Sequence, residues 1–266
     1  MNKLQKILIA LSLIFMVLVI GTFLLKTQKG KVAGVQTSSG ETPIRGITLP
    51  HHKLAEKLIL ESFERLKNEN FSYVVILGPN HFEPEINSVV TAKSIPEYSF
   101  DNEVIQKYLQ KYPDIVVSGE LINKEHSITL HLPYIQNYLP NAKMLPLMIS
   151  PYASKNDLYD KVNYLTSITP SDTLFIASVD FAHDVMQDTA LKNNEESIAA
   201  ISSFDYQTIL DFGDDHMDSP LSISMLLKSM QKEGSTKWET WYSSHAAILE
   251  GDPAIQGTSY VIGVFR

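Results

Sequence analysis

Three short apolar runs in this chain each hand over to a histidine or aspartate within a few residues, and that pattern restricts the fold. His51 follows Arg45-Gly-Ile-Thr-Leu-Pro50. His81 follows Tyr73-Val-Val-Ile-Leu-Gly-Pro-Asn80. Asp180 and His183 follow Thr173-Leu-Phe-Ile-Ala-Ser-Val179. Each run has the length and apolar content of a buried strand. An open α/β sheet builds its ligand site from residues just beyond the carboxyl ends of its strands. The three units therefore predict one pocket shared by His51, His81 and His183.

The stretches between these runs read as helices. Leu54 to Leu66 puts Leu54, Leu58, Ile59, Phe63 and Leu66 on one face, with Glu56, Lys57, Glu64 and Arg65 on the other. Helices are also predicted over Asp101–Tyr112, Ser127–Leu139, where Pro133 either starts or kinks the helix, Lys155–Leu165, Thr189–Ala200, Phe204–Phe212 and Leu221–Met230. At the start of the last of these, Asp218-Ser219-Pro220 offers an N-cap with proline in the first turn. Ile86–Ala92, Ile115–Val117, Met144–Ile149, Ala246–Leu249 and Tyr260–Phe265 read as further strands. This alternation predicts a single α/β domain with a mixed, largely parallel sheet covered by helices on both faces.

The amino-terminal segment reads differently. Ile7 to Leu25 is a run of 19 residues without a charge. As a helix it would be about 28 Å long, close to the hydrocarbon thickness of a bilayer. Residues 1–29 are therefore expected to form an N-terminal transmembrane helix, and 30–43, rich in Gly, Ser, Thr, Gln and Lys, a flexible tether. A signal peptide is the alternative, with Val32-Ala33-Gly34 as a weak cleavage site, but its apolar core is usually shorter. The short amino-terminal flank favours a single-pass protein with residues 44–266 outside the cytoplasm. The absence of cysteine excludes disulfides and thiolate ligands. Residues 1–44 hold five lysines and one acidic residue, so the remainder carries 17 basic and 29 acidic side chains, a net −12. A domain that acidic is a poor partner for a phosphate backbone, so no nucleic-acid partner is expected.

The motifs admit metal or acid–base chemistry, each beside a plainer reading. Pro50 keeps the chain extended, so His51 and His52 fall just past a strand end and diverge. One is expected in the pocket; alone, either could be a surface or capping residue. Gly78-Pro79-Asn80-His81 is a tight turn suited to close backbone approach. Asp180 and His183, three residues apart, suit a general acid–base pair or a carboxylate behind a metal-bound imidazole, but also an N-cap and first turn. Glu125-His126 could place a catalytic imidazole oriented by its neighbour; for His131 a buried structural role is favoured. The acidic residues Asp211, Asp214, Asp215 and Asp218 do not have EF-hand spacing and read as a solvated loop.

Taken in order, Pro50-His51, Leu77-Gly-Pro-Asn-His81, Glu125-His-Ser-Ile-Thr-Leu-His-Leu-Pro-Tyr-Ile135, Leu145-Pro-Leu-Met148, Ser178-Val-Asp-Phe-Ala-His183 and Tyr242-Ser-Ser-His245 resemble the Memo family, also called AmmeMemoRadiSam system protein B. The resemblance spans about residues 44–266. It implies the fold of class III extradiol ring-cleavage dioxygenases, which hold a non-haem iron with two histidines and a carboxylate. By motif, it places His51 and His81 as metal ligands and Asp180 with His183 as the neighbouring pair. The family's cysteine after Ser-Ser is absent here. His245 stands beside that position, either as a third ligand or as a loop histidine. The family's Pro-His-Ala-Gly stretch is also replaced, by His52 and Lys53 after Pro50-His51, and the resemblance implies no membrane segment.

The cofactor expected is a divalent metal ion, iron first, with zinc or copper as alternatives. The leading reading is a membrane-anchored, metal-dependent, dioxygenase-like or redox enzyme. In it His51, His81 and His245 bind metal, and His183, Asp180 and His126 handle protons. The alternatives are a metal-dependent hydrolase and a non-catalytic module binding a small molecule or peptide.

Overall fold

The computed structural model describes residues 42–266. The expected membrane helix, and all of the expected tether except Thr42 and Pro43, lie outside these residues. Among the described residues no helix is long and apolar enough to cross a membrane.

Four strands form the centre of the sheet: β1 (Gly46–Leu49), β2 (Tyr73–Pro79), β7 (Lys143–Ile149) and β8 (Thr173–Ser178). They are mutually parallel in the order β7-β2-β8-β1. Beyond β7 lie β3 (Val89–Thr91), antiparallel to it, and then β6 (Val116–Val117). Beyond β1 come the antiparallel strands β10 (Ser259–Phe265) and β9 (Trp238–His245). A separate two-residue hairpin pairs β4 (Ser94–Ile95) with β5 (Tyr98–Ser99). The result is a mixed α/β domain with one large mixed sheet flanked by helices. It is parallel across its four central strands, and antiparallel pairs flank them at β7–β3 and β1–β10.

Period-two alternation divides the central strands between two cores. Tyr73, Val75 and Leu77 of β2, with Phe175 and Ala177 of β8, face one side. There they meet helices α2 (Glu103–Lys111), α6 (Lys155–Ile168), α7 (Gln187–Ser202) and α9 (Pro220–Glu233). Val74, Ile76, Leu174 and Ile176 face the other. There they meet α1 (Glu56–Leu66) and the short helices α3 (Gly119–Lys124), α4 (His126–Thr129) and α5 (Leu132–Tyr138). The apolar stripe of α1 is buried as its periodicity predicts: Ile59, Phe63 and Leu66 are fully inaccessible. Each such side chain contributes roughly 1.5–3 kcal/mol of burial. The remaining helices are α8 (Tyr206–Asp211) and α10 (Ala246–Glu250).

One sequence expectation is corrected and two open ones are resolved. Of the two roles open to Pro133 within Ser127–Leu139, the structure shows the start: the chain breaks near His131 and restarts at Leu132 with Pro133 in the first turn. Ala246–Leu249 is helical rather than a strand, since the His245 ring accepts the Ala247 N–H and caps it. The strand lies just before it, at Trp238–His245, where its partial exposure hides the alternation. Within Asp218-Ser219-Pro220 the cap of α9 is Ser219, whose hydroxyl accepts the Ser222 N–H.

One close approach ties the fold to the strand ends. A Cβ on Gly78 would lie 2.6 Å from Ser127 Oγ and 3.0 Å from Ser127 Cβ. That hydroxyl donates to the Pro79 carbonyl at 2.9 Å, so it cannot swing aside without losing the bond. Gly78→Ala is expected to overpack this contact and destabilise the domain by about 1–3 kcal/mol, read as a lower denaturant midpoint at unchanged slope.

Candidate metal centre

Strands β2, β8 and β1 are neighbours and run the same way, so their carboxyl ends share one edge of the sheet. Each delivers a side chain two residues beyond its last strand position: His81 after Pro79, Asp180 after Ser178 and His51 after Leu49. The His51 and His81 rings lie 5.1 Å apart, edge to face. His126, at the start of α4, completes the group, with its ring stacked on His81 at 4.6 Å and 5.1 Å from His51. Nitrogens of these three imidazoles all lie within 4.8 Å of one another, as do ligand atoms of His51, Asp180 and Asp218.

His51 is held on every side. Its backbone N–H donates to Asp180 Oδ1 at 3.0 Å, and its Nδ1 lies 3.2 Å from Ser178 Oγ. Its Nε2 faces Asp218 Oδ2 at 3.0 Å and Asp180 Oδ2 at 3.8 Å. His81 is fixed by Glu125, which takes its backbone N–H at 2.9 Å on one oxygen and meets Nδ1 at 2.9 Å with the other. The His81 Nε2 looks towards Asp218 Oδ2, 3.7 Å away. Glu125 is fully buried, caps α4 through the Ser127 N–H, and stands 3.4 Å from His126 Nδ1. It thus orients His81 first and His126 second.

The electrostatics follow from burial set against opposite charge. Burial pushes the His51 imidazole down, but the Asp180 and Asp218 carboxylates outweigh it and hold its pKa above the ordinary value. At His81 burial is likewise outweighed, by Asp218 and Glu125, and the pKa rises to about 10. Asp218 shows the reverse: burial raises its pKa, but the two imidazoles bring it down to about 2. Burial dominates at Asp180, whose pKa is raised. His126, pressed by burial and by the charge of His51 and His81, is lowered. His131, fully buried with Nε2 2.9 Å from Ser178 Oγ, is lowered to about 3 by burial.

Carboxylates gathered around imidazoles draw a positive charge into the pocket, and a divalent cation would supply it. Both Asp218 oxygens are buried and make no hydrogen bond of good geometry among the described residues, so the 3.0 Å approach to His51 is a contact of charge. Unsatisfied carboxylate oxygens beside three imidazoles fit a divalent metal of the Fe, Zn or Cu type.

His183 stands apart from the imidazole trio. Its backbone N–H donates to Asp214, and its Nε2 is buried without a partner among the described residues. Asp184, in the left-handed region at φ 53°, turns the chain directly after it. His183 shares with His81 and Asp218 a cleft of about 900 Å³ walled by Tyr152, Lys155 and Phe212. His52 turns away and places Nδ1 2.7 Å from the Tyr260 hydroxyl.

The expected third ligand, His245, is not brought to the group. It is fully buried, its Nδ1 accepts the Ala247 N–H and its Nε2 lies 3.1 Å from the Val185 carbonyl. Both ring nitrogens serve the fold, and His126 occupies the place assigned to it. Sequence reasoning missed Asp218, placed with the solvated acidic loop. The Asp218-Ser219-Pro220 run holds two possible caps, so choosing Ser219 would have released the aspartate. Phe181 and Met217 form an isolated antiparallel bridge, and Asp218 N–H donates to the Asp180 carbonyl at 3.1 Å, which sets the two carboxylates side by side.

Comparison with known proteins follows the same lines. A family described as Memo-like protein matches residues 24–253. A MEMO1 family protein of Saccharolobus solfataricus is 28% identical over 145 residues, 50% of each chain. Others, from Nitrosopumilus maritimus and Caldivirga maquilingensis, are 25% and 21% identical over 56% and 61% of each chain. The chain spans about half the length of the curated relatives it matches. An uncharacterized protein from Escherichia coli K12 has a similar fold, with TM-score 0.57 and 12% identity over 84% of this chain and 100% of that one.

The charge pairs set a stability window. The His81 pKa rises from 6.5 to about 10 on folding, so its contribution is complete below 6.5 and is lost as pH climbs through about 10. The Asp218 pKa falls from 3.8 to about 2, so its share is present above 3.8 and is lost as pH drops through about 2. Metal-free protein is expected to be most stable between these limits. Asp218→Asn should flatten both flanks, measured by denaturant unfolding across pH.

Proposed function

Because the chain belongs to the Memo-like protein family, we propose that it is a divalent-metal-dependent enzyme with dioxygenase-like oxidoreductase chemistry on a small organic substrate. His51, His81 and His126 hold the ion. The observation that supports this reading is the meeting of three imidazoles from separate segments within ligand distance of one another. When bound, such an ion supplies Lewis acidity, and iron adds redox chemistry with O₂.

The protein's own groups do the rest. Asp180 and Ser178 hold the His51 ring, and Glu125 holds His81, so that ligand geometry is set before an ion arrives. Asp218 offsets positive charge at the centre. The unpartnered His183 Nε2 borders the cleft beside His81 and Asp218, where it takes a proton from, or gives one to, a substrate hydroxyl. A second reading, metal-assisted hydrolysis, is favoured by the three-imidazole donor set, which also describes hydrolytic zinc sites. The 19 uncharged residues from Ile7 to Leu25 support anchoring to a membrane, with residues 44–266 outside the cytoplasm. Deleting residues 1–42 is then expected to move the protein from the membrane fraction to the soluble fraction with a cooperative melt retained; a deletion product that stays with membranes would argue against the anchor.

Purified protein is expected to carry close to one divalent ion per chain, and metal analysis identifies it. O₂ uptake on a substrate panel separates the redox reading from the hydrolytic one. His51→Ala abolishes metal binding, and Glu125→Gln weakens it roughly 10–100-fold. His245→Ala leaves affinity unchanged while costing about 0.5–2 kcal/mol of stability through the lost cap. Wild-type metal affinity in His51→Ala would overturn the assignment, and a chain that neither binds metal nor responds to chelation would be a binding module.

A further inference from the structure

We propose that Ser178 and His131 form a buried relay that keeps the His51 proton on Nδ1 and so leaves Nε2 free for the pocket. Ser178 ends β8 directly opposite Leu49 of β1, which places its hydroxyl beneath the His51 ring. Its Oγ lies 3.2 Å from His51 Nδ1 and 2.9 Å from His131 Nε2. Ser178 and His131 are fully buried and His51 nearly so.

A hydroxyl has one hydrogen, so between two ring nitrogens it donates to one and accepts from the other. The direction is set at the far side of His51. There Nε2 faces Asp218 at 3.0 Å and Asp180 at 3.8 Å, and a cation at Nε2, whether metal ion or added proton, leaves Nδ1 as N–H. That N–H donates to Ser178 Oγ. The serine hydrogen then goes to His131 Nε2, so His131 carries its proton on Nδ1. His131 is neutral and has no carboxylate beside it, which suits it to accept. Its Nδ1 has no hydrogen-bond partner among the described residues, and an unpaired buried donor is destabilising. A histidine retained only for packing has no need of this tautomer. As the last link of the relay, it does. His131 and Ser178 are therefore positioning residues acting through His51.

The inference uses the metal assignment above only for its affinity readout, and the tautomer gives an independent one. In ¹⁵N-histidine NMR of the zinc-loaded protein, His131 is expected as the Nδ1–H tautomer. His131→Leu and Ser178→Ala should each weaken zinc binding roughly 10–100-fold. His131→Gln, which keeps an acceptor for the serine hydroxyl, should stay within a few-fold of wild type. Wild-type zinc affinity in His131→Leu, or an Nε2–H tautomer at His131, overturns the relay. If the wild-type protein binds no zinc, the metal reading fails on its own. The relay is then judged in the metal-free protein by the His131 tautomer alone, where an Nε2–H form overturns it.

Discussion

The register of three parallel strands governs the site. Strands β2, β8 and β1 lie side by side, with Leu77 opposite Ala177 and Ser178 opposite Leu49. Their ends therefore fall within one residue of each other: Leu49 and Ser178 are level, and β2 runs one residue further, to Pro79, before His81. Parallel pairing places all three carboxyl ends on one edge, whereas an antiparallel neighbour would send one of them to the other side. The bulk of the domain serves this alignment. Two cores clamp the central strands from opposite faces, and a slip of one residue would exchange Val75 and Leu77 with Val74 and Ile76 between those cores. Such a slip is costly, so the spacing of His51, His81 and Asp180 is as firm as the sheet.

On that frame the charges determine what the pocket accepts. Glu125, Asp180 and Asp218 are set among His51, His81 and His126, with Glu125 fully buried. A buried carboxylate without a positive partner is strongly disfavoured, and removing one member of such a pair typically costs about 3–5 kcal/mol. In the metal-free protein protons on His51 and His81 provide the positive charge, which is why their pKa values rise. A divalent ion would do the same and displace those protons. Metal affinity and proton affinity at this site are thus two expressions of one field, and metal uptake must release protons.

Much of this was legible in the sequence, for identifiable reasons. The strands preceding His51, His81 and Asp180 are buried on both faces, so they appear as unbroken apolar runs, and the stripe of α1 is a clean amphipathic period. Ordered motifs brought in the family as well. What stayed hidden depended on tertiary partners. Asp218 reads as one acid in a loop of acids until the Phe181–Met217 bridge sets it beside Asp180. Ser178 reads as the last position of a strand until His51 and His131 are seen on either side of it. Strand β9 escaped notice because edge strands are only half covered, and its partly exposed Trp238, Trp241 and Tyr242 blur the alternation.

The histidines also differ in how much of each ring the fold itself uses. At His51 and His81 the protein engages the backbone N–H and Nδ1, through Asp180 and Ser178 in one case and Glu125 in the other, and turns Nε2 towards a shared space. His126 follows the same rule more loosely, with Nδ1 near Glu125. At His245 the fold uses both nitrogens, one on the Ala247 N–H and one on the Val185 carbonyl, and nothing is left for a ligand. The position after Ser243-Ser244 could not decide this, because adjacency in sequence says nothing about where two nitrogens find their partners. A single residue, Glu125, explains why the His126 ring joins those of His51 and His81. The carboxylate that fixes His81 also caps the helix on which His126 is the first residue, so setting one ring in place brings the other over it.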